Sequence, residues 1–275
     1  MFELPEYLTL ARQIRETLAG KRVTEGNLGN SPHKFVWYNC TPVEFASLTP
    51  GRAVGDTRVR GRFMMVNLDP GFVLVLGECG GRVLHHEPGA SLPKKYHLLL
   101  RFDDESSFTV TTQMWGAMEL YEAGREEEGK FVKGMRPTPV DDAFTFQHFQ
   151  HLIDSEAGEK RPAKGLLTQD QLIPGLGNSI AQDILFRAGL HPKHRVQRLD
   201  TGQRRVLFDS ILDTLQEITQ KGGRYDEVDL LGQKGGYVRV MDKKAAGQPC
   251  PSCGTKVKKI QYLGGACYFC PECQE

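Results

Sequence analysis

Four cysteines near the C-terminus are the clearest candidates for chemistry in this 275-residue chain. They form two Cys-x-x-Cys pairs, Cys250 with Cys253 and Cys270 with Cys273, separated by residues 254–269. Two pairs at this spacing are typical of a tetrahedral zinc site, in which four thiolates bind one structural ion. The sequence therefore predicts one structural zinc ion at these cysteines.

The stretch 169–190 is the second candidate, because its centre, Pro-Gly-Leu-Gly-Asn, is rich in glycine for a turn between two helices. Gly175 and Gly177 permit positive φ and let another backbone approach, while Asn178 and Ser179 are suited to cap the helix that follows. A helix N-terminus of this kind favours anions. The alternative is a capped turn between two core helices, and the turn alone does not decide between them.

Two carboxylates near the N-terminus form the third candidate. Glu3 and Glu6 stand at the entrance of a helix predicted over residues 5–20 from its apolar spacing. The apolar positions of this helix are Leu8, Ala11, Ile14 and Leu18. Carboxylates at a helix entrance also complement the positive end of the helix dipole, which is the alternative to a chemical role.

The composition limits the classes of function. There are 35 Lys and Arg residues against 34 Asp and Glu, a net charge of +1, so the surface as a whole does not attract nucleic acid. Any DNA binding depends on local basic clusters, such as Lys256, Lys258 and Lys259 beside the first cysteine pair. A solvated face explains such a cluster equally well.

The remaining cysteines, Cys40, Cys79 and Cys267, have no matching pattern, which suits a reducing cytosol rather than a disulfide framework. No long apolar run is present, and the N-terminus is acidic where a signal peptide is basic. We therefore expect a soluble protein without membrane contact, located in the cytoplasm.

Short apolar and β-branched runs between residues 22 and 120 predict a β-sandwich. The runs are Lys34–Tyr38, Phe63–Leu68, Phe72–Leu76, His97–Phe102 and Phe108–Thr112. The charged stretch 122–139 is the best linker candidate, and residues 144–153 and 204–221 are predicted to be helical.

Three motifs together resemble the Fpg/Nei family (formamidopyrimidine-DNA glycosylase and endonuclease VIII). They are the opening MFELPE, the segment IPGLGNSIAQDILFRAGLHP and the pairs CPSC and YFCPEC. The resemblance implies an α+β multidomain fold. Its parts are an N-terminal helix plus β-sandwich catalytic-type domain over 1–130, a helical helix-two-turn-helix domain over 140–246 and a C-terminal zinc ribbon over 247–275.

The same resemblance implies base-excision DNA repair: removal of a damaged base followed by abasic-site lyase activity, through an N-terminal amine nucleophile that forms a Schiff base. The family's usual nucleophile is a proline at position 2, where this chain has Phe2. Removal of Met1 ahead of a bulky residue is not expected, so the amine belongs to Met1, or to Phe2 after processing. Glu3 matches the catalytic glutamate and Glu6 a second glutamate. The implied partner is damaged double-stranded DNA in the bacterial cytosol or nucleoid, bound by a monomer without a nucleotide cofactor.

Residues for DNA binding also follow from the resemblance, with departures from the family pattern. Arg62 stands for a phosphate-binding lysine, Glu78 for the methionine of a wedge that fills the space left by the flipped base, and Gly265 for an arginine of the ribbon. The predicted DNA-binding residues are Arg62, Met114, Trp115, Gly177, Asn178, Lys258 and Gly265. Trp115 has a core position as its alternative, and the loop 222–237 is expected to select the base.

These departures leave a second function open, a damaged-DNA-binding member of the same family that does not cut. A third possibility, from another class, is an RNA-binding or protein-interaction scaffold built on the ribbon and the basic clusters. The three motifs in their family order favour the first two.

Overall fold

The protein is described by a computed structural model over residues 1–31 and 33–275. The chain divides into two compact units. Unit 1 comprises Met1–Met135 and Thr219–Tyr237, and unit 2 comprises Arg136–Ile218 and Val238–Glu275. The segment 219–237, which the sequence ranges assign to the helical domain, thus belongs to the unit that contains the N-terminus.

The described part of unit 1 contains nine strands in two sheets, together with helices α1 (Leu4–Thr17) and α2 (Pro42–Leu48). The strands are β1 (Val23–Asn27), β2 (Val36–Trp37), β3 (Ala53–Arg60), β4 (Phe63–Asp69), β5 (Phe72–Gly77), β6 (Arg82–His86), β7 (Leu98–Phe102), β8 (Ser107–Thr111) and β9 (Gly116–Glu122). One sheet has the order β1-β7-β8-β6 and the other the order β2-β9-β5-β4-β3. The predicted N-terminal helix and β-sandwich are confirmed.

Helix α1 begins where its sequence signals place it. Glu3 is the N-cap, and it forms a capping box with Glu6 in which each side chain binds the other's backbone N–H. Pro5 occupies the first turn, where its missing N–H costs no hydrogen bond. Leu10 and Ile14 point into a core that also receives side chains from both sheets. The helix therefore fixes the N-terminus against the sandwich.

The five-stranded sheet is buried on both faces, because side chains alternate along each strand. In β4, Met64 and Val66 lie in the central core, whereas Phe63 and Met65 lie in a second apolar cluster.

The stretch 122–139, the predicted linker, contains the boundary between the two units, after Met135, but its residues 122–135 belong to unit 1. This stretch contains the end of β9 and a 3₁₀ turn at Glu126–Glu128. The residues after the turn pack against one face of the five-stranded sheet. Val132 is fully buried in the second cluster, and Phe131 and Met135 pack against it. Three apolar side chains within a charged stretch suffice to hold it on the sheet.

Unit 2 contains helices and a two-stranded hairpin. The elements are α3 (Phe146–Asp154), α4 (Ala163–Thr168), α5 (Asn178–Arg187), a 3₁₀ turn (Val196–Arg198), most of α6 (Thr201–Gln220), and the hairpin β10 (Lys258–Tyr262) and β11 (Gly265–Phe269). The predicted helical domain and ribbon are thereby confirmed. Among the described residues, no helix combines the length and the apolar character needed to span a bilayer.

The glycine turn differs from its prediction in two respects. The stretch 169–190 contains one helix rather than two, because α4 ends at Thr168 and α5 begins at Asn178. The N-cap is Gly177, without a side-chain cap, and Asn178 is the first helical residue. Gly175 adopts a positive φ of 95°, as its position in the turn requires.

Candidate active site and nucleic-acid interface

Phe2 is a core residue. Its ring is fully buried and packs edge-on against Tyr7, with ring centroids 5.9 Å apart. Its backbone N–H donates to the carbonyl oxygen of Cys79 at 3.1 Å, and the Cys79 N–H donates to the Tyr7 hydroxyl at 2.9 Å. These contacts hold the first peptide in place. In the chain that retains Met1, the free amine is that of Met1, a residue 40% exposed.

A buried guanidinium lies beneath the N-terminus. Arg224 is 1% exposed, and its Nε and Nη2 donate to the two carboxylate oxygens of Glu6 at 2.9 and 2.8 Å. Its Nη1 lies 3.6 Å from Oε1 of Glu3. Burial by itself would lower the pKa of Arg224, but Glu6 and Glu3 outweigh it and raise that pKa above its ordinary value. The two glutamates therefore do more than complement a helix dipole, because they enclose a buried cation.

Both the amine and the carbonyl oxygen of Met1 form hydrogen bonds. Nη2 of Arg224 donates to the Met1 carbonyl oxygen at 2.8 Å. The Met1 amine donates to Oε1 of Glu227 at 2.9 Å, and the same oxygen lies 3.6 Å from Nη2 of Arg224. The amine, Arg224 and three carboxylates thus form one polar cluster within unit 1, which we call the N-terminal cluster: Met1, Glu3, Glu6, Arg224 and Glu227.

Arg62 and Glu78 form an ion pair beside this cluster. Their Nη2 and Oε1 atoms lie 2.8 Å apart, and Nη1 of Arg62 lies 3.6 Å from Sδ of Met1. Burial raises the pKa of Glu78, and the charge of Arg62 acts in the opposite direction. Glu78 adopts a φ of 52°, which is unusual for a residue with a side chain. Arg62 and Glu78, which both depart from the family pattern, are therefore paired with each other. The Glu78 carboxylate neutralises the charge of Arg62, the predicted phosphate-binding residue.

Met114 and Trp115 lie at the surface of unit 1, with exposed fractions of 59% and 38%. Trp115 stacks on Trp37 with centroids 5.2 Å apart and an interplanar angle of 8°, and it contacts Phe35 at 4.7 Å. The indole is thus neither a core residue nor isolated. It belongs to a partly exposed aromatic stack with Trp37 and Phe35.

In unit 2, the start of α5 packs on the turn of the hairpin. The side-chain amide of Asn178 donates to the Ala266 carbonyl oxygen at 3.3 Å, and Gln182 donates to the Asn178 side-chain oxygen at 3.2 Å. A Cβ added to Gly265 would lie 3.3 Å from the Asn178 side chain. The structure therefore brings three predicted residues together, Gly177, Asn178 and Gly265.

The buried side chain of Lys164 stabilises the turn of the hairpin. No sequence pattern identified this residue. The residue is 1% exposed, and its Nζ donates to the carbonyl oxygen of Tyr262 at 2.5 Å and to that of Gly265 at 3.4 Å. By contrast, Lys258 is exposed and pairs with Phe269 at the opposite end of the hairpin. Lys258 therefore lies at the end of the hairpin away from Gly265.

The four predicted cysteines converge in unit 2. All four sulfur atoms lie within 4.8 Å of one another, with Cys250 and Cys273 3.8 Å apart and Cys253 and Cys270 3.4 Å apart. A tetrahedron with metal–sulfur bonds of about 2.3 Å has edges of about 3.8 Å, whereas a disulfide requires about 2.05 Å. The cluster therefore fits one tetrahedral metal ion.

Comparison with known proteins assigns the family. The formamidopyrimidine-DNA glycosylase N-terminal domain matches residues 1–118, and the H2TH domain of the same glycosylase matches residues 135–227. The chain belongs to the Fpg/Nei family.

Full-length relatives agree with this assignment. The formamidopyrimidine-DNA glycosylase of Methylococcus capsulatus is 28% identical, and that of Listeria innocua is 26% identical, each over 100% of both chains. Among solved structures, the MutM (Fpg) protein of Thermus thermophilus superposes with a TM-score of 0.82 at 25% identity, covering 99% of this chain and 98% of that one. The Lactococcus lactis Fpg, solved with DNA that contains an abasic site, has the same fold with a TM-score of 0.86 at 24% identity, covering 99% of each chain.

Two charged residues of the N-terminal cluster had no sequence signal. Arg224 and Glu227 lie in a segment predicted only as a base-selecting loop, more than 200 positions from Met1. A single arginine or glutamate in a polar loop has no periodicity or spacing by which a partner can be identified. Only the fold of this Fpg/Nei member reveals that the segment closes on the N-terminus.

Proposed function

We propose that this protein is a base-excision DNA repair enzyme, a glycosylase with abasic-site lyase activity on damaged double-stranded DNA. Its family membership and its full-length relatives, named formamidopyrimidine-DNA glycosylase, support the reaction class. The observation that carries the assignment to residues is the N-terminal cluster, in which Arg224 contacts Glu3, Glu6 and the backbone of Met1, whose primary amine is partly exposed.

In this proposal the Met1 amine is the nucleophile at C1′ of the damaged nucleotide, and the resulting Schiff base permits strand elimination. Glu3 transfers a proton during opening of the sugar ring. Arg62 binds a phosphate near the lesion once that phosphate displaces Glu78, because guanidinium forms bidentate bonds with phosphate. Trp115 and Met114 approach the bases, and the cytosol or nucleoid is the proposed location.

In unit 2 we assign one structural zinc ion to the cysteine cluster and a DNA-backbone contact to the start of α5. Zinc bound by four thiolates supplies folding energy rather than chemistry. Asn178 and the backbone at Gly177 and Gly265 meet phosphate oxygens, and Lys258 adds charge along the hairpin. Neutral donors at phosphates position a duplex without reading its sequence.

The first test is Glu3→Gln, which keeps the shape of the side chain and removes its acid–base capacity. We expect single-turnover excision on a duplex with one oxidised or ring-opened purine to slow by about 10²–10⁴-fold, the usual contribution of a positioned proton-transfer group. Affinity for a duplex with a non-cleavable abasic analogue should change by less than about threefold.

Glu25→Gln is the matched control, because Glu25 is an exposed strand residue of unit 1 whose carboxylate pairs with Arg101 at 3.1 Å. That variant should excise at the wild-type rate. Wild-type excision by Glu3→Gln would remove Glu3 from the proposed mechanism.

A second test concerns the backbone contact. Asn178→Ala should weaken affinity for damaged duplex about 5–10-fold, and Asn178→Asp should weaken it further, since a carboxylate repels phosphate. Asn178 also bridges α5 and the hairpin, so Gln182→Ala serves as the control that loosens the same contact without removing the exposed amide. An equal loss in Gln182→Ala would reduce Asn178 to a structural role.

A non-cutting damaged-DNA-binding protein is the second candidate function. It is favoured by the ion pairs that neutralise two key groups, Met1 by Glu227 and Arg62 by Glu78. Borohydride trapping on a duplex with one natural abasic site separates the two candidates. A covalent adduct at the N-terminal peptide supports the enzyme, whereas tight binding without an adduct supports the non-cutting protein.

A further inference from the structure

We propose that Glu227 is a catalytic residue that relays protons from the Met1 amine while this amine forms a Schiff base with an abasic-site aldehyde. The inference rests on the proposed function and adds a group that the family resemblance did not supply. It follows from one direct contact: Oε1 of Glu227 accepts a hydrogen bond from the amine nitrogen at 2.9 Å.

The position of Glu227 suits this role. Its side chain is 16% exposed and that of Met1 is 32% exposed, so the contact lies at the surface of the N-terminal cluster, where a sugar can approach. Glu6 lies deeper, at 4% exposure, and both of its oxygens bind Arg224. The carboxylates thus divide their tasks, since Glu6 anchors the guanidinium while Glu227 meets the amine.

The segment that carries Glu227 is anchored at several points. The Glu227 N–H donates to the Arg224 carbonyl oxygen at 3.0 Å, which closes a turn between the two charged residues. Leu230 is fully buried in the central core, and its N–H donates to the Gln13 side chain of α1 at 3.0 Å. Asp229 accepts from the same glutamine at 2.7 Å. Glu227 therefore stands on a segment fixed to the helix that begins beside Met1.

Arg224 acts as the positioning residue for this pair. Its Nη2 donates to the Met1 carbonyl oxygen at 2.8 Å and lies 3.6 Å from the Glu227 oxygen that binds the amine. One buried guanidinium thereby sets the distance between nucleophile and carboxylate. Fixed placement of reacting groups avoids the entropic cost of bringing them together.

The chemical step balances with these groups. The ammonium of Met1 gives one proton to Glu227, and the neutral amine then adds to the C1′ aldehyde, so that an N–C bond forms and the carbonyl π bond breaks. Glu227 passes the proton to the former carbonyl oxygen, which becomes a hydroxyl. A second proton moves from nitrogen through Glu227 to this hydroxyl, and the oxygen leaves as water. The product is an iminium ion with the charge of the original ammonium, and the carboxylate lies beside that charge.

The test uses the full-length protein and a duplex with one natural abasic site, under single-turnover borohydride trapping. Glu227→Gln should form the adduct about 10²-fold more slowly than wild type, with affinity for a duplex containing a tetrahydrofuran abasic analogue unchanged within about threefold. Glu227→Asp, which retains a carboxylate, should recover part of the rate. Glu25→Gln is the surface control, expected at the wild-type rate.

A second readout separates catalysis from structure. In Glu227→Ala, added formate should raise the trapping rate at least tenfold, because a small carboxylate can occupy the space beside the amine. Formate should leave wild type and Glu3→Gln unaffected, since neither has lost this side chain. A merely structural role for Glu227 would produce no rescue.

The outcomes also distinguish this proposal from the proposed function. No adduct with the wild-type protein would overturn both. An adduct on the Met1 amine that forms at equal rates in wild type and Glu227→Gln would overturn the role of Glu227 and leave the lyase function standing. An adduct mapped to another residue would do the same. Slow trapping with formate rescue would support both.

Discussion

Replacement of Arg224 by methionine is expected to lower the free energy of unfolding of unit 1 by about 3–5 kcal/mol. The substitution leaves Glu6, which is 4% exposed, without the guanidinium that binds both of its carboxylate oxygens, and an unpaired buried carboxylate is costly. It also removes the hydrogen bond to the Met1 carbonyl oxygen. Urea denaturation followed by tryptophan fluorescence reports on this unit selectively, because both tryptophans of the chain, Trp37 and Trp115, lie within it.

Two comparisons make this prediction specific. Arg12→Met, in the same unit, breaks an ion pair with Glu16 in which both side chains are about half exposed, and it should cost less than about 1 kcal/mol. The double variant Glu6→Gln/Arg224→Met should recover part of the loss, since neither ion then remains buried alone. A loss below about 1 kcal/mol in Arg224→Met would contradict the view that this arginine organises the N-terminal cluster.

Loss of the metal is expected to have the second large effect, confined to unit 2. A two-stranded hairpin is marginal by itself, and the apolar cluster around the cysteines has only four buried members among the described residues. Structural zinc in small modules contributes on the order of 10 kcal/mol of apparent binding free energy, which becomes folding free energy. Cys270→Ser should therefore lose the ion and the hairpin together, and affinity for DNA with them.

Elemental analysis should give about one zinc per wild-type chain and less than about 0.2 in Cys270→Ser. Cys267→Ser is the matched control, because Cys267 is fully buried in β11, shortly before Cys270, but lies outside the four-cysteine cluster. That variant should retain its zinc. Retention of zinc by Cys270→Ser, or its absence from the wild type, would contradict the assignment.

Unfolding of the ribbon should also loosen the segment that follows α5. The Glu275 carbonyl oxygen accepts from the His191 N–H at 2.8 Å, and the Gln274 side chain donates to the Leu190 carbonyl oxygen at 2.9 Å. Gln274 additionally accepts from the Cys270 N–H at 2.9 Å, which links these contacts to the metal cluster. Limited proteolysis of the metal-free protein should therefore cut near residues 189–194 as well as within the hairpin.

Several elements of the fold were predictable because their signals are local. Helix α1 was predicted over 5–20 and occupies Leu4–Thr17, since apolar spacing, Pro5 and the capping glutamates act over a few residues. Strand β4 was predicted within one residue of its bounds for the same reason. The stretch 122–139 does contain the boundary between the units, but most of it packs in unit 1. This packing was not predictable, because Phe131 and Val132 carry no periodic pattern and their burial depends on a sheet that forms elsewhere in the chain.

The candidate site likewise contains residues with local sequence signals and contacts that depend on long-range packing. The sequence by itself determined the four-cysteine cluster, because the spacing within each Cys-x-x-Cys pair is a local constraint, and it identified Glu3 and Asn178 as candidates through family motifs. Only the tertiary structure decided what these residues face. Asn178 contacts Ala266, Glu78 pairs with Arg62, and Met1 pairs with Glu227, 226 positions away. Such pairings depend on how distant segments pack, and an isolated charge in a loop contains no information about the charge that packing will bring beside it.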